Sequence, residues 1–177
     1  TTGEGNLFLN CQRGIALGFN SVVANDHSGG VIRNNIFYRS ASQSGDTAIY
    51  LGPSAGTQIL NNTCILSGTY STPIEYRWTA TTGVLISNNL LDGTIWARDG
   101  ATGTLQTNVT TASTALFVDA AGGDLHLVSM AAAAIDQGTT VAGCTDDWDA
   151  GARAGANDIG ADEYGSTGGG PPPPPPP

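Results

Sequence analysis

Along this chain apolar and polar residues alternate in short runs, and the runs return at a fixed interval. Val31 to Phe37 reads VIRNNIF, Gln58 to Leu66 reads QILNNTCIL and Val84 to Leu91 reads VLISNNLL; paired asparagines therefore fall at 34/35, 61/62 and 88/89, two successive intervals of 27. Weaker copies flank them, LFLNC at Leu7 to Cys11 and TLQTNV at Thr104 to Val109, each with a single asparagine. A second phrase alternates with the first: GIAL, AIYL, PIEY and TIWA around Ile15, Ile49, Ile74 and Ile95. Runs of this length with period-two alternation read as half-buried strands. A period in the twenties with at least two strands per copy predicts a solenoid, in which each repeat buries its apolar side on its neighbours.

The alternation also predicts faces. Ile32, Ile59 and Leu85 are expected to form one interior column and Ile15, Ile49, Ile74 and Ile95 another. Ala16, Tyr50, Glu75 and Trp96 then point outward on successive coils, with Trp78 nearby, and Arg77 and Arg98 share a column with Gly52. One asparagine of each pair is expected in a left-handed bend, which Asn tolerates better than most residues. The expected stacking ladder runs through Asn10, Asn34, Asn61, Asn88 and Asn108, hydrogen-bonded from coil to coil.

Composition narrows the class. The 177 residues suffice for one domain with a core, and 25 glycines with only 12% charged residues disfavour a helical protein. A net charge of −9 repels phosphate backbones and anionic surfaces, so nucleic acid is not an expected partner. No apolar run reaches the roughly 18 residues of a membrane span, and no leader is evident. The missing initiator Met and the start inside the repeat pattern point to a processed or partial chain. The acidic, Thr- and Asn-rich surface points to an extracellular or cell-surface location. Were Cys11 and Cys64 two coils apart, about 10 Å would separate them, beyond disulfide reach. Cys11, Cys64 and Cys144 are expected as buried thiols, the alternative being a bridge from Cys144. After Tyr164 the composition changes to GSTGGGPPPPPPP, a Gly-rich hinge over 166–170 and a polyproline II tail over 171–177. By composition that tail reads as a linker cut from a longer chain; the other expectation is a rod held by a partner surface.

The NNxI coils resemble the right-handed parallel β-helix family, the pectate-lyase-like superfold, over roughly residues 5–110. FVDAAGGDLHL, AIDQGT, DDWDAGAR and DIGADEYG, between Phe117 and Gly165, are similar to the closing segment of secreted β-helix repeat proteins. The resemblance implies an all-β right-handed parallel β-helix over 1–165, with about four to five coils and a C-terminal cap segment from about residue 111. The chain departs from the family at Met130 to Ala134, where Ser-Pro is usual, and at Asp147 to Gly151, in place of a DxDG turn.

Family enzymes use clustered acids, with Ca²⁺ and a basic residue in many lyases or paired Asp in hydrolases. Here the candidates Asp26, His27, Arg33, Asp46, Glu75, Arg77, Asp92, Arg98 and Asp99 place no two acids clearly adjacent on one face, so no catalytic set is assigned. Asp146, Asp147 and Asp149 form a weak calcium candidate, with no EF-hand spacing. Tyr50, Glu75, Arg77, Trp78, Trp96 and Arg98 are the candidate surface for carbohydrate or for the proline tail; the alternatives are a solvated ion-pair set and a plain cross-strand ladder. Leu7, Leu9 and Cys11 are the candidate assembly edge, and Asn108 the candidate glycosylation site. The leading expectation is a non-catalytic extracellular structural module that assembles head to tail into a filament or surface appendage, its tail docked on a neighbour. The alternatives are the C-terminal part of a secreted polysaccharide lyase or hydrolase, and a carbohydrate-binding module.

Overall fold

The computed structural model describes residues 1–19 and 26–168. The expected proline tail, part of the hinge and most of the loop after Asn20 lie outside the described residues. The chain is nearly all-β, 35% strand and 2% helical. Three parallel sheets carry the repeats. The first contains Thr2–Glu4 (β1), Val31–Arg33 (β5), Gln58–Leu60 (β9), Val84–Ser87 (β12) and Gly103–Gln106 (β15), hydrogen-bonded in that order. The second runs Leu7–Leu9 (β2), Ile36–Tyr38 (β6), Thr63–Ile65 (β10) and Leu90–Leu91 (β13). The third runs Ile15–Leu17 (β3), Ile49–Leu51 (β7), Ile74–Arg77 (β11) and Ile95–Arg98 (β14). Every strand pairs with its counterpart in the next repeat, an arrangement compatible with a parallel β-helix. His27–Ser28 (β4) pairs with Ser54–Ala55 (β8), and Phe117–Asp119 (β16) pairs antiparallel with Asp124–Leu127 (β17).

Register corrects one predicted column. Ile32, Ile59 and Ile86 align across the first sheet and all are buried, whereas Leu85 aligns with Gln58 on the opposite face. The interval of 27 already contained this answer, because a one-residue slip moves a strand's whole apolar set to the other face. Ile15, Ile49, Ile74 and Ile95 do align in the third sheet. In the second sheet Phe8, Phe37, Cys64 and Leu91 continue inward, with the two phenyl rings stacked at 4.6 Å. Cys64 and Cys144 are buried free thiols, but Cys11 is exposed, since it follows β2 and does not align with Cys64.

The asparagine pairs divide their work. The first of each pair, Asn34, Asn61 and Asn88, is left-handed, with φ of 53°, 49° and 55°; Gly5 and Thr107 take the same conformation, φ 65° and 47°, in the flanking copies. The second forms the ladder. Asn6 Nδ2 donates to Asn35 Oδ1 at 2.9 Å, Asn35 to Asn62 at 2.9 Å, Asn62 to Asn89 at 3.0 Å and Asn89 to Asn108 at 2.9 Å. Each Oδ1 also accepts the backbone N–H of the asparagine before it. The continuous ladder is therefore Asn6, Asn35, Asn62, Asn89 and Asn108; of the predicted set Asn108 belongs to it, and Asn88 Nδ2 makes a single long bond to Asn61 Oδ1 at 3.4 Å. Asn10 ends β2 at another corner, where its Oδ1 accepts from Ser40 N.

Asn34, Asn61 and Asn88 instead turn outward and hold the segment after residue 111. Asn34 Nδ2 donates to Asp146 O (2.8 Å), Asn61 Nδ2 to Asp158 O (3.1 Å) and Asn88 Nδ2 to Thr139 O (2.6 Å). Arg153, 1% exposed in its side chain, reaches Asn34 Oδ1, Gly160 O, Ala161 O and the Glu163 carboxylate. This segment lies along the outer face of the second sheet. Ile36, Ile65 and Leu90 pack there against Phe117, Leu125, Trp148 and Ile159, so the sheet is buried on both sides. Gly160 is held so close that a Cβ would sit 2.9 Å from Thr63 Oγ1, and its φ of 113° favours glycine.

Two predictions follow from this packing. Replacing Asn62 by Ala strands the Asn35 amide and removes Asn62's own bonds to Ile32 O and Leu60 O, all buried. Urea unfolding should show a loss of about 3 kcal/mol or more, against about 1–2 kcal/mol for Asn61→Gly, which keeps the bend and gives up one bond to Asp158 O and two long ones, to Gly160 O and from Asn88 Nδ2. The second concerns pH. Burial pushes the Asp162 carboxyl up to about 6 despite the Leu127 N–H and His126, and burial with the neighbouring Asp149 does the same for Asp147. His126 is raised as well: burial opposes its charge, but Asp124, Asp162 and Asp149 outweigh it. Groups raised by folding stabilise the fold while protonated, and that contribution is lost as pH climbs through their folded values. The melting temperature should therefore be higher near about pH 5 than near about pH 8, and Asp162→Asn should shrink the difference.

Candidate functional site

With the second sheet covered, the third keeps a free outer face. Alternation along β11 and β14 sends Ile74, Tyr76, Ile95 and Ala97 inward and Glu75, Arg77, Trp96 and Arg98 outward. Tyr50 aligns with Glu75 and Trp96, so the predicted outward column is one row of side chains. Guanidiniums lie on the aromatic rings of this face: Arg13 is 5.1 Å from the Tyr50 ring centre, Arg77 is 4.5 Å from Trp78 and Arg98 is 4.3 Å from Trp96. Phe19 tilts against Tyr50 at 6.2 Å.

Carboxylates neutralise the cations. Arg77 Nε meets Asp99 at 2.6 Å, Arg98 Nη1 meets Glu75 at 2.9 Å, and Arg13 pairs with Asp46. Glu75 is only 3% exposed although its strand position faces outward, because Arg77 and Arg98 lie over it. Burial alone would raise the Asp46 carboxyl, but the Thr47 N–H and the Arg13 guanidinium hold it below its ordinary value; burial and the Asp46 charge push the Tyr70 phenol up. Arg13, Phe19, Asp46, Tyr50, Tyr70, Glu75, Arg77 and Arg98 enclose a shallow pocket of ≈ 210 Å³, and Trp96, 47% exposed, extends the surface beside it.

Four of the six predicted site residues line this pocket, and Trp78 and Trp96 flank it through their stacked arginines. Trp78 is left-handed with φ 76°, an unusual conformation for a bulky side chain, and Asp99 beside it has φ 52°. The Trp78 indole N–H is buried with no hydrogen-bond partner among the described residues. Sequence reasoning missed Arg13, Phe19 and Tyr70, and named Asp46 only among the acids of a possible catalytic set. They stand in connections outside the strand phrases, and no periodic signal marks them.

The other candidates go elsewhere. Arg33 is clamped between Glu4 (2.7 Å) and Asp146 (2.6 Å). His27 Nδ1 lies 2.9 Å from Ser54 Oγ, Phe19 N donates to Asp26, and Ser67 N donates to Asp92. Asp147 and Asp149 lie side by side, but Asp146 does not join them: it faces Arg33, while Asp147 also accepts from Gly151 N and Ser166 Oγ. Among the described residues no group of three or more His, Cys, Asp or Glu is arranged to hold a metal ion. The sequon at Asn61 to Thr63 is buried; Asn108, in the second sequon, is partly buried and donates to Ile86 O at 2.8 Å. No helix among the described residues is long and apolar enough to cross a membrane. Comparison with protein-family models, curated proteins and solved structures finds no match.

The Glu75 carboxylate is the electrostatic centre of this face. Glu75→Gln should leave Arg98 without its anion and lower stability by about 2 kcal/mol, whereas Trp96→Ala should cost under about 1 kcal/mol, since its ring is half in water. Chemical denaturation of the two variants checks the order.

Proposed function

We propose that the chain is a non-catalytic, extracellular binding module, a right-handed parallel β-helix of about four to five coils over residues 1–165, with its closing segment from about 111. The outer face of the third sheet takes a saccharide chain. The observation that carries this reading is the set of three arginine-stacked aromatics, Tyr50 and Trp96 on the outer face of the third sheet and Trp78 at the bend after β11. Aromatic faces meet the C–H surfaces of sugar rings, and stacked guanidiniums supply donors for hydroxyls without further ordering. Three guanidiniums (Arg13, Arg77, Arg98) stand against three carboxylates (Asp46, Glu75, Asp99), so the face carries no net charge. With a chain charge of −9, that favours a neutral glycan over a uronate polymer.

Titration of neutral and uronate oligosaccharides followed by tryptophan fluorescence tests the proposal. Neutral glycan should bind, and Trp96→Ala should weaken it about tenfold or more. Binding of uronates alone, with depolymerisation that disappears in Arg77→Ala or Arg98→Ala, would replace this reading by the lyase or hydrolase one. Absence of binding to either class would sink it. A second reading, a structural module whose copies stack into a filament or surface appendage with the proline tail docked on a neighbour, is favoured by Leu105. This residue belongs to the interior column yet is 48% exposed.

A further inference from the structure

Arg39 follows β6 directly, at the corner where each repeat turns from the second sheet toward the third. Its counterparts in the neighbouring repeats, one residue past the aligned Leu9, Tyr38 and Ile65, are Asn10 and Leu66. The Arg39 side chain is buried, 2% exposed, and Gly45 lies so close to its guanidinium that a Cβ there would collide with it. Its hydrogen bonds all go to connections that lead into the third sheet. Nε donates to Cys11 O at 3.1 Å, Nη2 donates to Cys11 O (2.8 Å), Gln12 O (2.7 Å) and Asp46 O (2.8 Å), and Nη1 donates to Thr69 Oγ1 at 3.3 Å. These acceptors are carbonyl and hydroxyl oxygens.

The acceptors stand beside the residues that reach the candidate pocket. Gln12 precedes Arg13, Asp46 lines the pocket itself, and Thr69 precedes Tyr70. The three connections, residues 10–14, 39–48 and 66–73, belong to successive repeats and differ in length, so strand pairing does not align them with one another. A planar guanidinium with its donors in a fixed fork does, because it meets all three from one point. Bonds within the cluster complete it: Asp46 N donates to Gln12 O at 2.7 Å, Arg13 pairs with the Asp46 carboxylate, and the Tyr70 hydroxyl donates to that carboxylate as well. Arg13 and Asp46 keep 36% and 35% of their side chains in water. A ligand in the pocket can therefore touch Arg13, Asp46 and Tyr70, while Arg39 stays closed off behind them.

We infer that Arg39 is a positioning residue: from inside the stack it sets Arg13, Asp46 and Tyr70 as one polar arm of the saccharide face beside Tyr50, and so governs binding without contact with the glycan. This rests on the saccharide reading above and names the part of that site that meets sugar hydroxyls. The next repeat supplies the comparison. There the same corner is filled by Leu66, 1% exposed, so packing alone is satisfied by an apolar side chain. A buried cation met by neutral oxygens is the costlier way to fill it, and what Arg39 adds is its donors. Hydrogen bonds from a buried side chain that fix the groups in contact with a ligand are what hold a binding site to its geometry.

Two variants test this, Arg39→Met, which keeps an unbranched side chain without donors, and Arg39→Lys, which keeps the charge and loses the fork. Circular dichroism verifies that each folds. In titration of a neutral oligosaccharide followed by tryptophan fluorescence, Arg39→Met should weaken binding about tenfold, and Arg39→Lys by less. The losses from Arg39→Met and Asp46→Asn should overlap, whereas those from Arg39→Met and Trp96→Ala should add. A second measurement needs no glycan. Burial and the Asp46 charge push the Tyr70 phenol up, so its absorbance transition at alkaline pH, identified by difference from Tyr70→Phe, should fall toward the ordinary tyrosine value in Arg39→Met. Where Arg39→Met does not fold, Arg39→Lys decides by the same two measurements. A folded variant that binds as the wild type does, with the Tyr70 transition unmoved, would overturn the inference and leave the saccharide reading standing. Weakened binding whose loss adds in full to that of Asp46→Asn would overturn it too. A wild-type chain that binds neither neutral nor uronate glycan sinks the saccharide reading, and the Tyr70 transition then decides by itself whether Arg39 sets the cluster.

Discussion

The asparagine ladder is the interaction on which the rest depends. An amide inside an apolar column is tolerable only when its donors and acceptors are met, and here each is met by the repeats on either side. The ladder therefore fixes register between neighbouring repeats while leaving the connections free. Successive ladder members stand 29, 27, 27 and 19 residues apart, and the hydrogen bonds keep the same length within 0.1 Å. Loop length varies without disturbing the stack because none of it lies between the bend and its asparagine.

The neighbouring asparagine does a different job. In the left-handed conformation it sends its side chain out of the stack, and three of them in a row make a line of anchors for the last third of the chain. Arg153 adds a buried cation that spends its donors on carbonyls of that segment and on Asn34. A two-sided second sheet results. Its outer apolar face is covered by the same chain, while the third sheet keeps its outer face free.

The two open features follow from that placement. A segment anchored along the side leaves the end at β15 bare, with an interior leucine in water. On the third sheet, outward charges that are unfavourable alone are held in pairs beside aromatic rings, which makes a charge-balanced, partly apolar face on an acidic molecule. The proposed saccharide reading rests on that neutrality and on the exposed ring of Trp96.

The sequence by itself determined the repeat, the all-β parallel architecture and the row Tyr50, Glu75, Trp96 with Arg77 and Arg98, because period two and an interval of 27 are local and countable. It left open which asparagine of a pair turns inward, since both are the same residue and only the bend decides; that is why the expected ladder holds Asn34, Asn61 and Asn88. The flanking copy hid its asparagine at Gly5-Asn6, where the bend is made by glycine and the interval is longer. Leu85 was one residue off because VLIS is apolar at three consecutive positions; the interval of 27 counted from Ile59 reaches Ile86, the residue that pairs there. Arg13, Phe19, Asp46 and Tyr70 reach the third sheet from connections that no periodicity describes, and the path of residues 112–168 along the side of the stack rests on contacts between residues about 100 apart, such as Asn61 with Asp158. What repeats could be read from the order of residues; what occurs once was decided by the packing.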